Sequence, residues 1–282
     1  MQKSFSVRLY AALGAALLLT ASPALAQFSP RPLNDPPGGE TYHIEGFAGF
    51  WGPTADMLIS VEELGIVGST VDFKNDLGLT DRRVRDLRLV LRPARKHKFR
   101  FESIPLKYQE GPVTVNRDIV FVGQRYRVGI PLSWLLEWQT YRLGYEYDIV
   151  SRDRGFGGLI LEAKYTRVRA DLTTPLVTCP EPDPPACVGR IKGPVPAIGG
   201  IVRVYVVPNI SITTEVTGLK IPKIQDKYEA HYADVDIFGT VNFTPNLGAQ
   251  IGWRSIDVGL LFEQDTGSFV VKGMYFGLVA RY

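Results

Sequence analysis

The sequence predicts an all-β chain whose residues 41–282 close into a transmembrane antiparallel up-and-down β-barrel of about twelve strands, with ten as the alternative. Three observations predict it. Apolar and polar residues alternate with a period of two through most of the chain. Charged side chains are interleaved with aliphatic ones instead of gathering in loops. The N-terminus carries an export signal. Hydrophobic residues make up 45% of the chain and aromatics 11%, enough for a core. Yet the alternation gives each segment two faces of opposite preference, which a strand between lipid and a polar lumen requires.

Residues 1–26 read as a signal peptide. Lys3 and Arg8 form the charged region, Leu9 to Leu19 the apolar stretch, and Ala24-Leu25-Ala26 the small-x-small cleavage site before Gln27. The stretch is too short for a helical span, and that cleavage site argues against the alternative of a retained anchor. Two of the 32 basic residues and none of the 29 acidic ones fall in the signal, so the mature chain carries a net charge of +1. This balance offers a nucleic acid nothing to bind. Residues 27–40, rich in Pro and Gly, read as a flexible leader.

From Thr41 the period is two. Tyr42, Ile44, Gly46, Ala48 and Phe50 share one face; His43, Glu45, Phe47 and Gly49 share the other. Leu87, Leu89 and Leu91 oppose Asp86, Arg88 and Arg92; Phe99 and Phe101 oppose Lys98, Arg100 and Glu102. Val120, Val122, Tyr126 and Val128 oppose Arg125 and Arg127, and Tyr141, Leu143, Tyr145 and Tyr147 oppose Arg142 and Glu146. Leu159, Leu161, Ala163 and Tyr165 oppose Glu162 and Lys164. In the C-terminal third the same pattern recurs at 202–206, 210–217, 234–243, 247–254 and 273–282. The twelfth strand is sought between Pro53 and Phe73, in Met57–Glu62 or Ser69–Phe73. Weak boundaries at 93–97 and 128–133 keep ten open. Pro208-Asn209 and Thr244-Pro245-Asn246 are short turns, whereas 172–195, 219–229 and 257–267 read as long loops. Short turns on one side and long loops on the other mark outer-membrane barrels. A soluble β-sandwich would explain the alternation, but not charges along one face of nearly every strand, because its inner faces are apolar.

Gly277-Leu278-Val279-Ala280-Arg281-Tyr282 is similar to the terminal signature of bacterial outer-membrane barrels, with Gly277, Ala280 and Tyr282 in the signature positions. Ala280 is smaller than the usual hydrophobe, and Phe276 stands where a polar residue is commoner. The resemblance covers 41–282 as architecture, and the class it most resembles is the small OmpA- and OmpW-type barrel. It implies location in the outer membrane of a Gram-negative envelope, recognition by the barrel-assembly machinery, and contact with outer-membrane lipid and lipopolysaccharide. The segment Val71-Asp72-Phe73-Lys74-Asn75-Asp76-Leu77-Gly78-Leu79 resembles an element after the first strand of uncharacterised barrels of this kind. Its acidic spacing and Gly position do not suit a calcium loop, so it reads as a structured loop or partial plug.

Cys179 and Cys187 flank a proline-rich loop, and in an exported chain they are expected to form a disulfide. No His lies near them, and two ligands do not make a zinc site. His43, His97 and His231 are the chain's histidines. His43 and Glu45 are expected to face the lumen, and His97 lies in the basic turn Arg95-Lys96-His97-Lys98, as a solvated face or lipopolysaccharide contact. Glu229 and His231 share a strand face, with Asp234 following. A carboxylate that orients a His suits hydrolysis, but no Ser or second acid is placed to complete a site. No catalytic, metal or cofactor-binding residues are therefore assigned. Arg88, Arg100, Glu102, Arg125, Arg142, Glu146, Glu162, Lys164, Arg203, Glu215, Asp234, Asp236 and Arg254 are assigned to the lumen. In a narrow barrel such charges pair and seal it; in a wider one they line a pore. Trp134, Trp138, Trp253, Tyr145, Tyr147, Phe243 and Tyr282 are candidates for interfacial girdles. The functional expectation is a structural or narrow-pore barrel that is not an enzyme. A passive channel for a small solute comes second, and a lipid- or peptide-hydrolysing barrel third.

Overall fold

The computed structural model describes residues 40–60, 68–121, 124–174, 188–225, 227–263 and 265–282. The signal peptide, the leader up to residue 39, Cys179 and Cys187 lie outside the described residues. The strands in chain order are β1 (Ile44–Ser60), β2 (Val71–Asp72), β3 (Val84–Ala94), β4 (His97–Thr114), β5 (Ile119–Phe121), β6 (Gln124–Tyr126), β7 (Pro131–Arg152), β8 (Gly155–Thr173), β9 (Val188–Val207), β10 (Ile210–Ile224), β11 (Tyr228–Asn242), β12 (Leu247–Phe262) and β13 (Asp265–Arg281).

Ten of these make the wall. β1, β3, β4 and β7 to β13 pair in sequence, and β13 returns antiparallel onto β1 from Glu45↔Arg281 to Ser60↔Thr266. Closure removes the unpaired edges that an open sheet would expose. Ten strands is the alternative count, and the preferred twelve fails for a local cause. Met57 to Ser60 belong to the end of β1, Val71 and Asp72 form only a short edge pair on it, and the 120–128 alternation folds as the separate β5–β6 hairpin. An alternating pattern identifies strand, but not which sheet the strand joins.

Within the wall strands the faces fall as the alternation predicts. Leu89 pairs with Phe101, and Phe101 with Leu143. These side chains join Leu161, Val204, Ile237, Ile251 and Leu278 in an exposed apolar belt. The strands run from 11 residues in β3 to 22 in β7, well beyond the 9–11 or so that a tilted crossing needs. The expected long loops at 219–229 and 257–267 are mostly strand. β10 and β11 meet at a tight turn at Gln225, and β12 and β13 at one containing Glu263, both with positive φ (51° and 56°). Of the third, 172–195, residues 172–173 and 188–195 are strand, and 175–187 lie outside the described residues. Polar side chains mislead here because ladder hydrogen bonds belong to the backbone and continue past the apolar belt.

The turns joining β3–β4, β7–β8, β9–β10 and β11–β12 are short and lie at the end that holds Ile44 and Arg281. The described residues 68–83, 115–121 and 124–130 lie at the opposite, loop end. At the closing seam, a Cβ on Gly277 would sit 2.4 Å from the Ala48 carbonyl oxygen, so the two strands meet where only glycine fits.

Candidate functional site

The feature with the densest chemistry is the lumen. Period-two strands force alternate side chains inward, and the inward positions of β4, β7, β8, β10, β11 and β12 bring Glu102, Arg142, Lys164, Glu215, Asp234 and Arg254 to one level. Arg142 Nη1 donates to Glu102 Oε2 at 3.0 Å, and its other nitrogens bond Glu162 and Glu215. Arg254 grips Asp234 through two nitrogens, at 3.0 and 2.8 Å, and reaches Glu102 across the lumen. Lys164 Nζ lies 2.9 Å from Glu162 and 3.8 Å from the centre of the Tyr232 ring. Arg88 bonds Asp86 at 2.6 Å and Asp236 at 2.7 Å while resting on the Tyr275 ring. A void of about 50 Å³ lies between Arg88, Glu102 and Arg142 and the charges nearer the terminus end, Lys98, Glu146 and Arg203. Buried charges persist only when paired and hydrogen-bonded, and these are.

Towards the terminus end the chain of ions continues. Lys98 bonds Glu146 at 2.7 Å and Asp148 at 3.0 Å, and Arg100 bonds Glu146 at 2.9 Å. Arg281 bonds Glu45 at 2.5 Å. Glu40, the last residue of the leader, accepts from Arg203 at 3.0 Å and from the Tyr205 hydroxyl at 2.7 Å. The sequence assigned twelve of these interior charges correctly, from Arg88 to Arg254. Arg125 is the exception: it sits exposed on β6 because that hairpin leaves the wall. Glu40 was missed, since nothing in a Pro/Gly-rich stretch marks a residue that turns back into the mouth.

At the loop end the lumen is apolar, contrary to a uniformly polar interior. Val71, Phe73 and Leu77 are completely buried, and so are Ile119 and Phe121. Phe73 packs edge-on against Trp134 with ring centres 5.4 Å apart, and Trp134 Nε1 donates to the Leu77 carbonyl at 2.7 Å. Ser69 N donates to the Val120 carbonyl at 2.8 Å, and Arg117 clamps Asp76 at 2.9 and 2.5 Å. Asp72 accepts from the amides of Lys74 and Asn75, both at 2.9 Å. The 69–79 segment and the β5–β6 hairpin thus form one plug, with the acidic oxygens consumed internally. Arg117 holds the Asp76 carboxyl below the usual carboxylate range.

The remaining sequence candidates separate. Trp134 and Trp138 point inward, Trp138 stacking on Phe269 at 4.3 Å, so they are not girdle residues. Inward alternation on β7 decides this. Tyr145, Tyr147, Phe243 and Tyr282 lie at the terminus end on the outer surface, whereas Trp253 is level with Arg254 in mid-wall. His43 is exposed at the rim and does not enter the lumen; the buried neighbour is Tyr42, because the strand register begins only at Ile44. His97 lies beside the short β3–β4 turn, bonded to Tyr145 Oη at 2.7 Å and remote from the loop end. His231 meets Asp257 of β12 at 3.2 Å on the outer face while Asp234 points inward, so the carboxylate bonded to His231 is Asp257 and not the expected Glu229. Of the terminal signature, Gly277 faces the lumen, and Ala280 and Tyr282 face out. No group of three potential metal ligands occurs among the described residues.

No protein-family profile matches this chain, and no curated protein matches its sequence. Among solved structures, the fold is similar to that of the outer membrane protease OmpT from Escherichia coli. The TM-score is 0.53 at 10% identity, over 85% of this chain and 96% of that one. The fold is that of an outer-membrane β-barrel. Two further barrels overlap more loosely and add nothing to the argument: the toluene transporter TbuX of Ralstonia pickettii (TM-score 0.35, 10% identity, 93% of this chain and 94% of that one) and Ail of Yersinia pestis (0.34, 10%, 85% and 99%). At 10% identity the likeness to OmpT is one of fold alone.

Proposed function

We propose that this chain is a structural barrel of the Gram-negative outer membrane, exported by residues 1–26 and held shut along its lumen. The observation that carries the reading is Arg142, buried and bonded to carboxylates from β4, β8 and β10 at once. Among the described residues, ions bound wall to wall occupy the lumen where water would pass, and the apolar plug stands above them. The outward apolar belt supports insertion into lipid, the terminal signature supports handling by the barrel-assembly machinery, and no catalytic role is assigned to His231.

Planar-bilayer recording on the refolded mature chain tests this. The expected result is an intact bilayer with no unitary steps at neutral pH. Reproducible steps from protein that shifts migration between unboiled and boiled gels would overturn the sealed reading in favour of a passive solute channel.

A further inference from the structure

The wall is not zipped along its whole length. β9 and β10 pair from Val207↔Ile210 up to Ile198↔Gly218, and no pairing between them extends further towards the loop end. Above that point β9 pairs only with β8, as far as Asp171↔Val188, and β10 only with β11. The sequence explains the parting. Pro194 and Pro196 lie on the β9 margin and Pro222 on the β10 margin, and proline, which has no N–H to donate, is confined to sheet edges.

Behind the split lies an apolar cavity of about 340 Å³, within the range of small-ligand sites. Met57, Trp138, Leu219, Tyr232, Val258 and Phe269 line it, together with Pro194 and Pro196 at the split itself. The outer surface beside the split is basic. Arg167 stands directly opposite Lys192, Arg169 opposite Arg190, and across the gap Lys220 opposite His231. Arg167 and Lys192 are like charges in direct cross-strand register, which opposes folding, whereas Arg169 has carboxylates beside it in Asp171 and, across the β7 pairing, Glu137.

We propose that the split admits one acyl chain of an outer-leaflet lipid carrying a phosphate headgroup. The chain occupies the cavity, and the phosphate rests on Arg167 and Lys192. The apolar lining suits a hydrocarbon, the parted edges give it a path from the membrane, and a phosphate relieves the repulsion that the register creates. The site rests on the barrel spanning the outer membrane.

The test uses the mature chain in phosphatidylcholine nanodiscs and phosphatidic acid with brominated acyl chains as the probe. In a Trp253→Phe background Trp138 reports from inside the cavity, and a matching Trp253→Phe, Trp138→Phe control subtracts the emission of Trp51 and Trp134. Quenching should saturate at a few mole per cent of probe. Gly267→Phe, at a position where an added Cβ meets open space, should abolish most of it, as should Ala230→Leu if the first variant fails to fold. Arg167→Glu with Lys192→Glu should raise the probe needed several-fold. Quenching that never saturates, or that survives both cavity variants, would overturn the site. Equal quenching by brominated phosphatidylcholine would overturn the phosphate assignment. Trp253 in the unaltered chain checks the membrane reading separately. If brominated phosphatidylcholine does not quench it, the failure belongs to the spanning barrel and not to the site.

Discussion

Arg254 on β12 and Glu102 on β4 meet across the full width of the barrel, with Nη2 and Oε2 3.2 Å apart. The two strands stand on opposing walls. Their contact is therefore a crossbar, and its removal has two separable consequences.

Glu102→Ala leaves Arg254, Arg142 and Arg88 without their shared carboxylate. Breaking a buried ion pair on one side costs about 3–5 kcal/mol. The expected outcome is a lower unfolding midpoint in urea for the detergent-refolded barrel, with conductance steps appearing in bilayers. A midpoint within experimental error of the parent would show that the network rearranges without Glu102.

The last strand discriminates faces. Leu278→Arg should cost about 2–4 kcal/mol if that side chain lies near the bilayer midplane. The sequence alone suggests that Val279→Arg is mild, because the position faces a polar lumen. The structure reverses this: Val279 is buried opposite Phe47, in the apolar cluster of the lumen. Overpacking there costs about 1–3 kcal/mol, and a third cation beside Arg88 and Arg281 adds to it. Both variants should lower the unfolding midpoint, and only Val279→Arg should be partly rescued by Arg88→Gln.

The plug should respond to acid. Asp76 has its carboxyl pKa lowered by the Arg117 hydrogen bonds. A lowered folded-state pKa contributes stability that is present above the ordinary Asp value of about 3.9 and lost as pH falls through the folded-state value. Protection factors of the amides in residues 69–79, corrected for the intrinsic pH dependence of exchange, should therefore be high at pH 7 and fall once the pH drops below the ordinary Asp range. Asp76→Asn should have lower protection factors at pH 7 and lose most of this pH dependence. A parental pH profile in the variant would detach the plug from this ion pair.

Cys179 and Cys187 are expected to be bridged on the cell surface. A membrane-impermeant thiol reagent should label intact cells only after reduction. Labelling of untreated cells would show free thiols.

Much of the wall was legible because alternation is local. Whether Leu143 or Arg142 faces lipid follows from period two alone, and the structure agrees for every wall strand. The choice of ten over twelve strands was not legible, since Val120 and Tyr126 alternate as well as wall residues do but belong to β5 and β6, which pair with each other outside the wall. The tryptophans show the same limit. Trp134 and Trp138 look like interface anchors by type, yet they share the inward phase of Arg142, and their environment depends on a plug whose docking is not local.

What the sequence by itself determined was the transmembrane β-barrel, its inward and outward faces and most of its interior charges, because a two-residue period encodes a side chain's direction without reference to any partner. Only the tertiary structure decided that those charges pair across the lumen, that the 69–79 segment packs at its loop end, and that β9 and β10 part above Ile198. Each of these depends on which strands become neighbours. Neighbours are set by ring closure over contacts as distant in sequence as Glu45 and Arg281, which no local pattern records.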